Sequence, residues 1–352
     1  MILASAGEGP LCAGPLVFRN RVFLAPMSGI SDLPFRRLAS RFGAGLVVSE
    51  MVASDRLAAG EEECRLRMEG EGLSPHAVQL AGCREEDLAE GARIAEAAGA
   101  DLVDINMGCP AKRVVHGWAG SALMRDIDHA TALVRAVVSA VRVPVTLKMR
   151  LGWDHGSINA PELARRAEAE GVALVTVHGR TRCQFYKGTA DWDLIARVRA
   201  AVSIPLIANG DCRTASDARA MRGRSGADGV MVGRASLGAP WLPGAIAATL
   251  SGAPSPAPAS LEAFHALVAE HHEAMIDHYG TGLGVRMARK HLSAYLEHLR
   301  GVDPGDRAAI LTGTDPVEVR RRLSAAFGAA AAFEPPEVAG DRARTPALAD
   351  AA

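Results

Sequence analysis

Cys109 is the residue with the most chemical promise. It lies in Asn106-Met107-Gly108-Cys109-Pro110-Ala111-Lys112, directly after the strand-like run Asp101-Leu102-Val103-Asp104-Ile105. An amide, a glycine and a thiol therefore stand just past the carboxyl end of an apolar strand, where parallel α/β folds carry out their chemistry. A thiol in that position can be a nucleophile, a general acid or a bystander.

Other strand-like runs end in the same manner. They lead to Pro26-Met27-Ser28-Gly29, contain Gln79, or finish at Lys148-Met149-Arg150, His178-Gly179-Arg180, Asn209-Gly210-Asp211 and Gly233-Arg234. Barrel stability does not call for polar or basic groups at so many strand ends. Gly210 and Gly233 let backbone N–H groups approach an anion, and Arg234 adds a bidentate charge. Loops after the seventh and eighth strands are the usual phosphate site of the barrel fold, so a phosphorylated ligand is expected. Lys148 at a barrel mouth needs a partner. The anionic edge of a reduced flavin is one candidate and a Schiff base is another. The flavin reading also uses Gln79 and His178, although His178 taken alone reads equally well as a structural histidine. In a flavin enzyme that reduces a C=C bond, hydride reaches one carbon and a proton must reach its neighbour. A thiol with a pKa near ~8.5 is mostly protonated at neutral pH and can supply that proton.

The elements that must position these residues are eight strand-like runs, at 22–25, 45–49, 77–80, 102–106, 143–149, 174–178, 205–209 and 229–232. Most are apolar throughout, as in parallel strands buried on both faces. Helical stretches separate them, among them 85–98, 128–141, 161–170 and 214–221. Repeated βα units predict a (β/α)8 TIM barrel. An open doubly wound sheet is the alternative, lowered by the absence of G-x-G-x-x-G after the first strand. Ser251-Gly252-Ala253-Pro254-Ser255-Pro256-Ala257-Pro258 reads as a linker. Helical spacing follows at 261–278, with Phe264, Leu267, Val268, His271 and Met275 on one side, then at 284–299 and 316–327. The expected organisation is an N-terminal extension over 1–20, a catalytic barrel over 21–245, an all-α domain over 255–330 and a disordered tail over 331–352.

Composition sets the remaining bounds. Apolar residues make up 49% of the 352, enough for a large core. No run approaches the ~18 apolar residues of a membrane span, and the N-terminus lacks the pattern of a signal peptide, so the expected location is the cytoplasm. None of Cys12, Cys64, Cys83, Cys109, Cys183 and Cys212 forms a C-x-x-C pair, so neither a metal site nor a disulfide is expected. The net charge is −1. That excludes a globally basic nucleic-acid binder but not a local basic patch. Among 39 basic residues only Lys112, Lys148, Lys187 and Lys290 are lysines. A lysine in such a chain points to a place where a planar guanidinium does not fit.

Together these segments resemble the tRNA-dihydrouridine synthases, in particular the bacterial B-type, NifR3-like branch. The resemblance rests on Ala25-Pro26-Met27-Ser28-Gly29-Ile30-Ser31-Asp32, Ser49-Glu50-Met51, residues 104–112, Lys148-Met149-Arg150-Leu151-Gly152-Trp153, His178-Gly179-Arg180-Thr181-Arg182, Asn209-Gly210-Asp211, Gly233-Arg234 and Ala288-Arg289-Lys290-His291. It implies an FMN-dependent barrel followed by a helical domain that helps hold tRNA. NADPH (or NADH) would reduce the FMN, hydride would pass to C6 of a tRNA uridine, and Cys109 would protonate C5. By similarity, FMN contacts fall on Pro26, Met27, Ser28, Gln79, Lys148, His178, Asn209, Gly210, Asp211, Gly233 and Arg234. Asn106 is expected to face the uracil, with Arg180 and Lys290 facing RNA. No membrane or stable protein partner is implied, and a monomer is expected. The chain departs from its relatives after Lys290-His291, where they often carry Trp-Tyr and Ala294-Tyr295 stands here. Two other readings stay open at this point: reduction of a free pyrimidine by a flavin barrel, and an RNA-binding protein on a barrel that has lost catalysis.

Overall fold

The computed structural model describes residues 9–339. Eight strands form one parallel sheet: β1 Val22–Leu24, β2 Val48–Ala53, β3 Ala77–Ala81, β4 Leu102–Met107, β5 Val145–Arg150, β6 Leu174–His178, β7 Leu206–Asn209 and β8 Gly229–Val232. Their order runs β1-β8-β7-β6-β5-β4-β3-β2. The two edges meet: Leu24 bridges Val47 in parallel, Leu24 N–H donates to Leu46 O at 2.8 Å and Gly45 N–H to Val22 O at 2.7 Å. The sheet is thus a closed TIM barrel, as the eight apolar runs imply, and closure leaves no strand edge exposed.

The outer helices begin where short polar side chains can cap them. Asp32 caps α1 (Leu33–Arg41), with Pro34 in its first turn; Asp126 caps α2 (Ile127–Ala140), Asp191 caps α3 (Trp192–Arg199) and Thr214 caps α4 (Ala215–Ser225). The strands' outward side chains and the helices' apolar faces form the principal core. The barrel interior has its own core, built on Phe23, Ala77, Leu102, Leu174, Ile207 and Met231. A hairpin of Cys12–Ala13 and Leu16–Val17 plugs its lower end with Leu11 and Phe18, the latter edge-on to Phe23 at 4.9 Å. Residues 9–20 of the expected extension therefore close the barrel floor, which leaves the opposite end as the open mouth. Residues 1–8 lie outside the described residues.

The helical region opens with α5 (Leu261–Leu296), capped by Ser260 and broken at Gly280 (φ 72°, ψ 163°), so it acts as two helices at an angle. Next come α6 (Pro304–Thr312), which the sequence reading does not contain, and α7 (Pro316–Ala329). It docks on α1: Arg41 grips Glu270 with bonds of 2.5 and 2.8 Å, Tyr279 Oη donates to Asp32 at 3.3 Å, and Phe35 packs on the His271 and His291 rings. The expectation of disorder from residue 331 is corrected as far as 339. Ala332–Phe333 pairs antiparallel with Leu299–Arg300, Phe333 stacks on Phe264 at 4.3 Å, and Val338 O accepts from Ala215 N–H at 2.7 Å. One aromatic side chain with a ring to cover outweighs the polar, proline-rich composition around it. The rest of the expected tail, 340–352, lies outside the described residues. Among the described residues, no helix is long and apolar enough to cross a membrane.

Candidate active site

The loop after β4 is built to hold one thiol still. Asn106 Oδ1 accepts from Gly108 N–H at 3.1 Å and Cys109 N–H at 2.9 Å. Cys109 O accepts from Ser121 N–H at 3.1 Å and Ser121 Oγ at 2.8 Å, and Gly108 O accepts from Arg150 Nε at 2.7 Å. Gly120, at φ 60°, lies so close that a Cβ there would meet Cys109 O at 2.9 Å. Partial burial pushes the Cys109 thiol up, against the opposing pull of the Ala111 N–H, Arg150 and Lys148. The thiol is therefore protonated at neutral pH. It suits a proton donor better than a thiolate nucleophile.

Beneath it, residues on three neighbouring strands form a continuous polar chain. Thr146 Oγ1 donates to Asp104 Oδ1 at 2.6 Å, Gln79 Nε2 to Asp104 Oδ2 at 2.7 Å, and Asn106 Nδ2 to Gln79 Oε1 at 2.7 Å. Asp104 is buried, and that burial raises its pKa. Asn106 was expected to face the substrate, but both lone-pair directions of its carbonyl go to the Cys109 loop and one amide hydrogen to Gln79. One N–H remains for a ligand. Gln79, expected at the flavin, likewise keeps only one free N–H.

Lys148 and His178 stand on β5 and β6, half-buried in the mouth. Among the described residues the Lys148 ammonium has no hydrogen bond or ion pair; burial, with Arg150 nearby, lowers it to about 8. His178 is held neutral by burial and by the surrounding Arg150, Lys148, Arg180 and Arg234. Its Nε2 lies 3.2 Å from Arg180 Nη1. A guanidinium can only donate, so this nitrogen accepts and the ring proton sits on Nδ1.

Arg180 departs from the sequence reading. It was expected to face RNA, yet it is 2% exposed. Its Nη2 donates to Asp211 at 2.7 and 2.9 Å and to Gly188 O at 2.7 Å, and its Nε donates to Lys187 O at 3.2 Å. Asp211 holds φ 60° and also accepts from Ala190 N–H at 2.7 Å. Asp211 thus orients Arg180, and Arg180 orients His178. Both charges are spent on one another, and neither is free for a ligand.

The last two strands supply a cradle. Asn209 Nδ2 donates to Met231 O at 2.8 Å, and Trp192 Nε1 to Gly210 O at 2.9 Å. Gly210 has φ 113°, and a Cβ there would strike Ala190 Cβ at 2.7 Å and His178 Cδ2 at 2.9 Å. At Gly233 a Cβ would meet only Ala25 Cβ at 3.8 Å and Met27 Sδ at 3.9 Å. The β1 loop, with Pro26 and Met27 half-buried and Ser28 exposed, therefore adjoins the end of β8. Arg234 is exposed, lies 4.4 Å from the Tyr186 ring, and has no carboxylate partner among the described residues. Lys290, on α5, brings Nζ within 3.2 Å of where a Gly29 Cβ would lie, and Gly29 N–H donates to buried Glu50 at 2.6 Å. The helical region thus reaches the mouth through that one lysine. Tyr295 does not: it is fully buried, with its hydroxyl bonded to His271 Nδ1 at 2.8 Å, while Ala294 fits against Gly238.

A family model described as dihydrouridine synthase matches residues 23–330. The chain belongs to the dihydrouridine synthase family. It is 55% identical over 314 residues to a probable tRNA-dihydrouridine synthase of Rhizobium leguminosarum bv. phaseoli, covering 89% of this chain and 97% of that one. It is 47% identical over 292 residues to tRNA-dihydrouridine synthase B of Xanthomonas campestris pv. campestris, covering 82% and 88%. An old yellow enzyme homologue from Zymomonas mobilis shares the fold, with TM-score 0.50 and 16% identity over 72% of this chain and 95% of that one. As a family member the chain is a flavin-dependent oxidoreductase that uses FMN and NAD(P)H. Its own residues fit that cofactor. An unpaired ammonium and a neutral imidazole stand half-buried at the strand ends, and Gly233 leaves room for a phosphate beside Arg234, which has no carboxylate partner among the described residues.

The sequence reading quoted Arg150 and Asp104 within their segments but gave neither a role. Arg150 is 1% exposed; besides Gly108 O it donates to Thr181 O at 2.9 Å and Phe185 O at 2.8 Å, tying the thiol loop to the loop after β6. Their only sequence signal was position: each lies on a strand that already carries a chosen residue.

Proposed function

We propose that this chain is a tRNA-dihydrouridine synthase that reduces the C5=C6 bond of specific tRNA uridines. The observation that carries the reading is the clamped, protonated Cys109 thiol, with the unpaired Lys148 and the neutral His178 on the neighbouring strands. When bound, FMN supplies the hydride, drawn from NADPH, that reaches C6. Cys109 holds the proton and gives it to C5. Asn106 positions the Cys109 backbone and offers its remaining N–H to the uracil. Lys148, His178 and Gln79, with Pro26, Met27 and Ser28, would hold the isoalloxazine. Asn209 and Gly210 support this wall, Gly233 and Arg234 would hold the phosphate, and Asp211 acts on His178 through Arg180 as a positioning residue.

Residues 21–245 form the catalytic unit, and the helical region holds tRNA, with Lys290 at the contact. A base inside folded tRNA must be extruded to reach such a mouth. The chain works as a cytoplasmic monomer on this account. Mapping dihydrouridine in tRNA from cells lacking the chain tests it. Loss at defined positions, restored by the chain, is expected; an unchanged dihydrouridine pattern would sink the reading.

A further inference from the structure

Beside the mouth, five side chains alternate ring and guanidinium along the rim. Arg125 lies over Trp118 at 5.3 Å and over Trp153 at 4.9 Å; Arg182 lies over Trp153 at 4.8 Å and over Phe185 at 4.5 Å. The row opens on a pocket of about 400 Å³ lined by Val115, His116, Trp118, Arg125, Trp153 and Arg182. Nothing in the catalytic account uses it.

Three features point to a ligand. Trp118 is 58% exposed and holds φ 56°, a left-handed conformation that side chains other than glycine rarely adopt. A large indole has been turned toward solvent instead of into the core, where burial would stabilise it. Second, Arg125 and Arg182 have no carboxylate partner among the described residues, and Arg182 Nε is buried without any hydrogen bond. Arg37, Arg93, Arg165, Arg224, Arg300 and Arg321 by contrast each sit on a carboxylate. Third, the row is physically joined to the thiol loop. Gly120, two residues beyond Trp118, packs so tightly that a Cβ there would lie 3.2 Å from Cys109 Cβ.

We propose that this row is a stacking clamp for an unpaired nucleotide of the tRNA that neighbours the uridine entering the barrel. The inference rests on the tRNA reading above and adds a second binding position to it. Extruding one base strips its neighbours of stacking partners, and an exposed ring beside the mouth replaces that contact. The exposed Trp118 ring, covered by a guanidinium on one side, meets the face of any base without sequence preference on the other, and Arg125 and Arg182, which have no carboxylate partner among the described residues, meet its phosphates.

The test uses the FMN-loaded enzyme, an unmodified tRNA transcript and NADPH, with Trp118→Ala and Trp118→Phe beside the parent. Trp118→Ala is expected to raise KM for tRNA roughly tenfold, the scale of one lost base–aromatic stack. FMN content and KM for NADPH stay at parental values, and Trp118→Phe recovers most of the loss. Adding tRNA quenches the exposed indole's emission in the parent, and that part of the quench disappears in Trp118→Ala. An unchanged KM for tRNA with unchanged quenching overturns the clamp. A shift in KM for NADPH alone also overturns it, by giving the row to the adenine of the dinucleotide. A parent enzyme that forms no dihydrouridine refutes the function itself, at a step that precedes any variant.

Discussion

Replacing Arg180 by Ala separates a folding role from an RNA contact. The substitution deletes five partners together: His178 Nε2, both Asp211 oxygens and the carbonyls of Lys187 and Gly188. The Asp211 carboxylate, 18% exposed, then loses its only charged partner among the described residues while its backbone stays at φ 60°. Removing one member of a buried pair costs about 3–5 kcal/mol, because the other charge is left uncompensated. Lys at this position supplies one point charge for a forked set of acceptors and recovers only part of that. The double variant Arg180→Ala with Asp211→Asn is less destabilised than the two single losses added together, since the stranded charge is gone. Urea unfolding of the FMN-loaded protein reads all of these, and FMN release reads the displaced His178. If Arg180→Ala unfolds within ~0.5 kcal/mol of the parent and only weakens tRNA binding, the buried placement is wrong and the RNA-facing role returns.

Cys109→Ala keeps FMN and NADPH oxidation but loses roughly 10²–10⁴-fold in tRNA reduction, the usual worth of a positioned general acid; full activity in single-turnover assays would remove its role. Because the thiol's pKa is raised, Cys109 keeps its proton as pH rises from 7, so a fall in the parent rate around pH 8 follows the Lys148 ammonium, lowered to about 8, and the thiol adds its own decline only at higher pH. Gly210→Ala drives a Cβ into Ala190 and His178 at a φ of 113°, so the protein purifies with little FMN; full flavin occupancy would count against the cradle. Acid weakens the docking of the helical region. Burial holds His291 at about 3 and His278 at about 4, and keeps His271 well below 6.5. As pH falls below 6.5 the unfolded chain gains protons that the folded one refuses, so stability drops by up to about 1.4 kcal/mol per pH unit for each histidine. Asp32, raised to about 7 by burial, works the other way, since the folded state takes its proton first as pH falls. Three histidines against one carboxyl leave a lower urea midpoint at pH 5 than at pH 7; an equal or higher midpoint would refute the balance.

The barrel was legible because buried parallel strands read as short apolar runs, and the polar strand ends stood out against them. The site was legible in position but less so in direction. Arg180 at a strand end reads as an exposed charge until Asp211 arrives from another strand, 31 residues later. Asn106 reads only as a ligand for the base, although its carbonyl turns back on Gly108 and Cys109 and leaves one N–H for that role. Arg150, named at a strand end beside Lys148, was given no role, because only the folded barrel shows that its fork joins two loops. The ordering of residues 331–339 depends on Phe333 meeting Phe264, a contact across the helical region that local composition does not carry.

The central claim is that electrons from NADPH end in a tRNA uridine beside Cys109. The most direct measurement is anaerobic turnover of the FMN-loaded protein with NADPH and unmodified tRNA, counting dihydrouridine formed against NADPH consumed. Equal amounts, at defined uridines and with free uracil untouched, are expected. NADPH consumed without dihydrouridine, or free uracil reduced as fast as tRNA, would contradict the account.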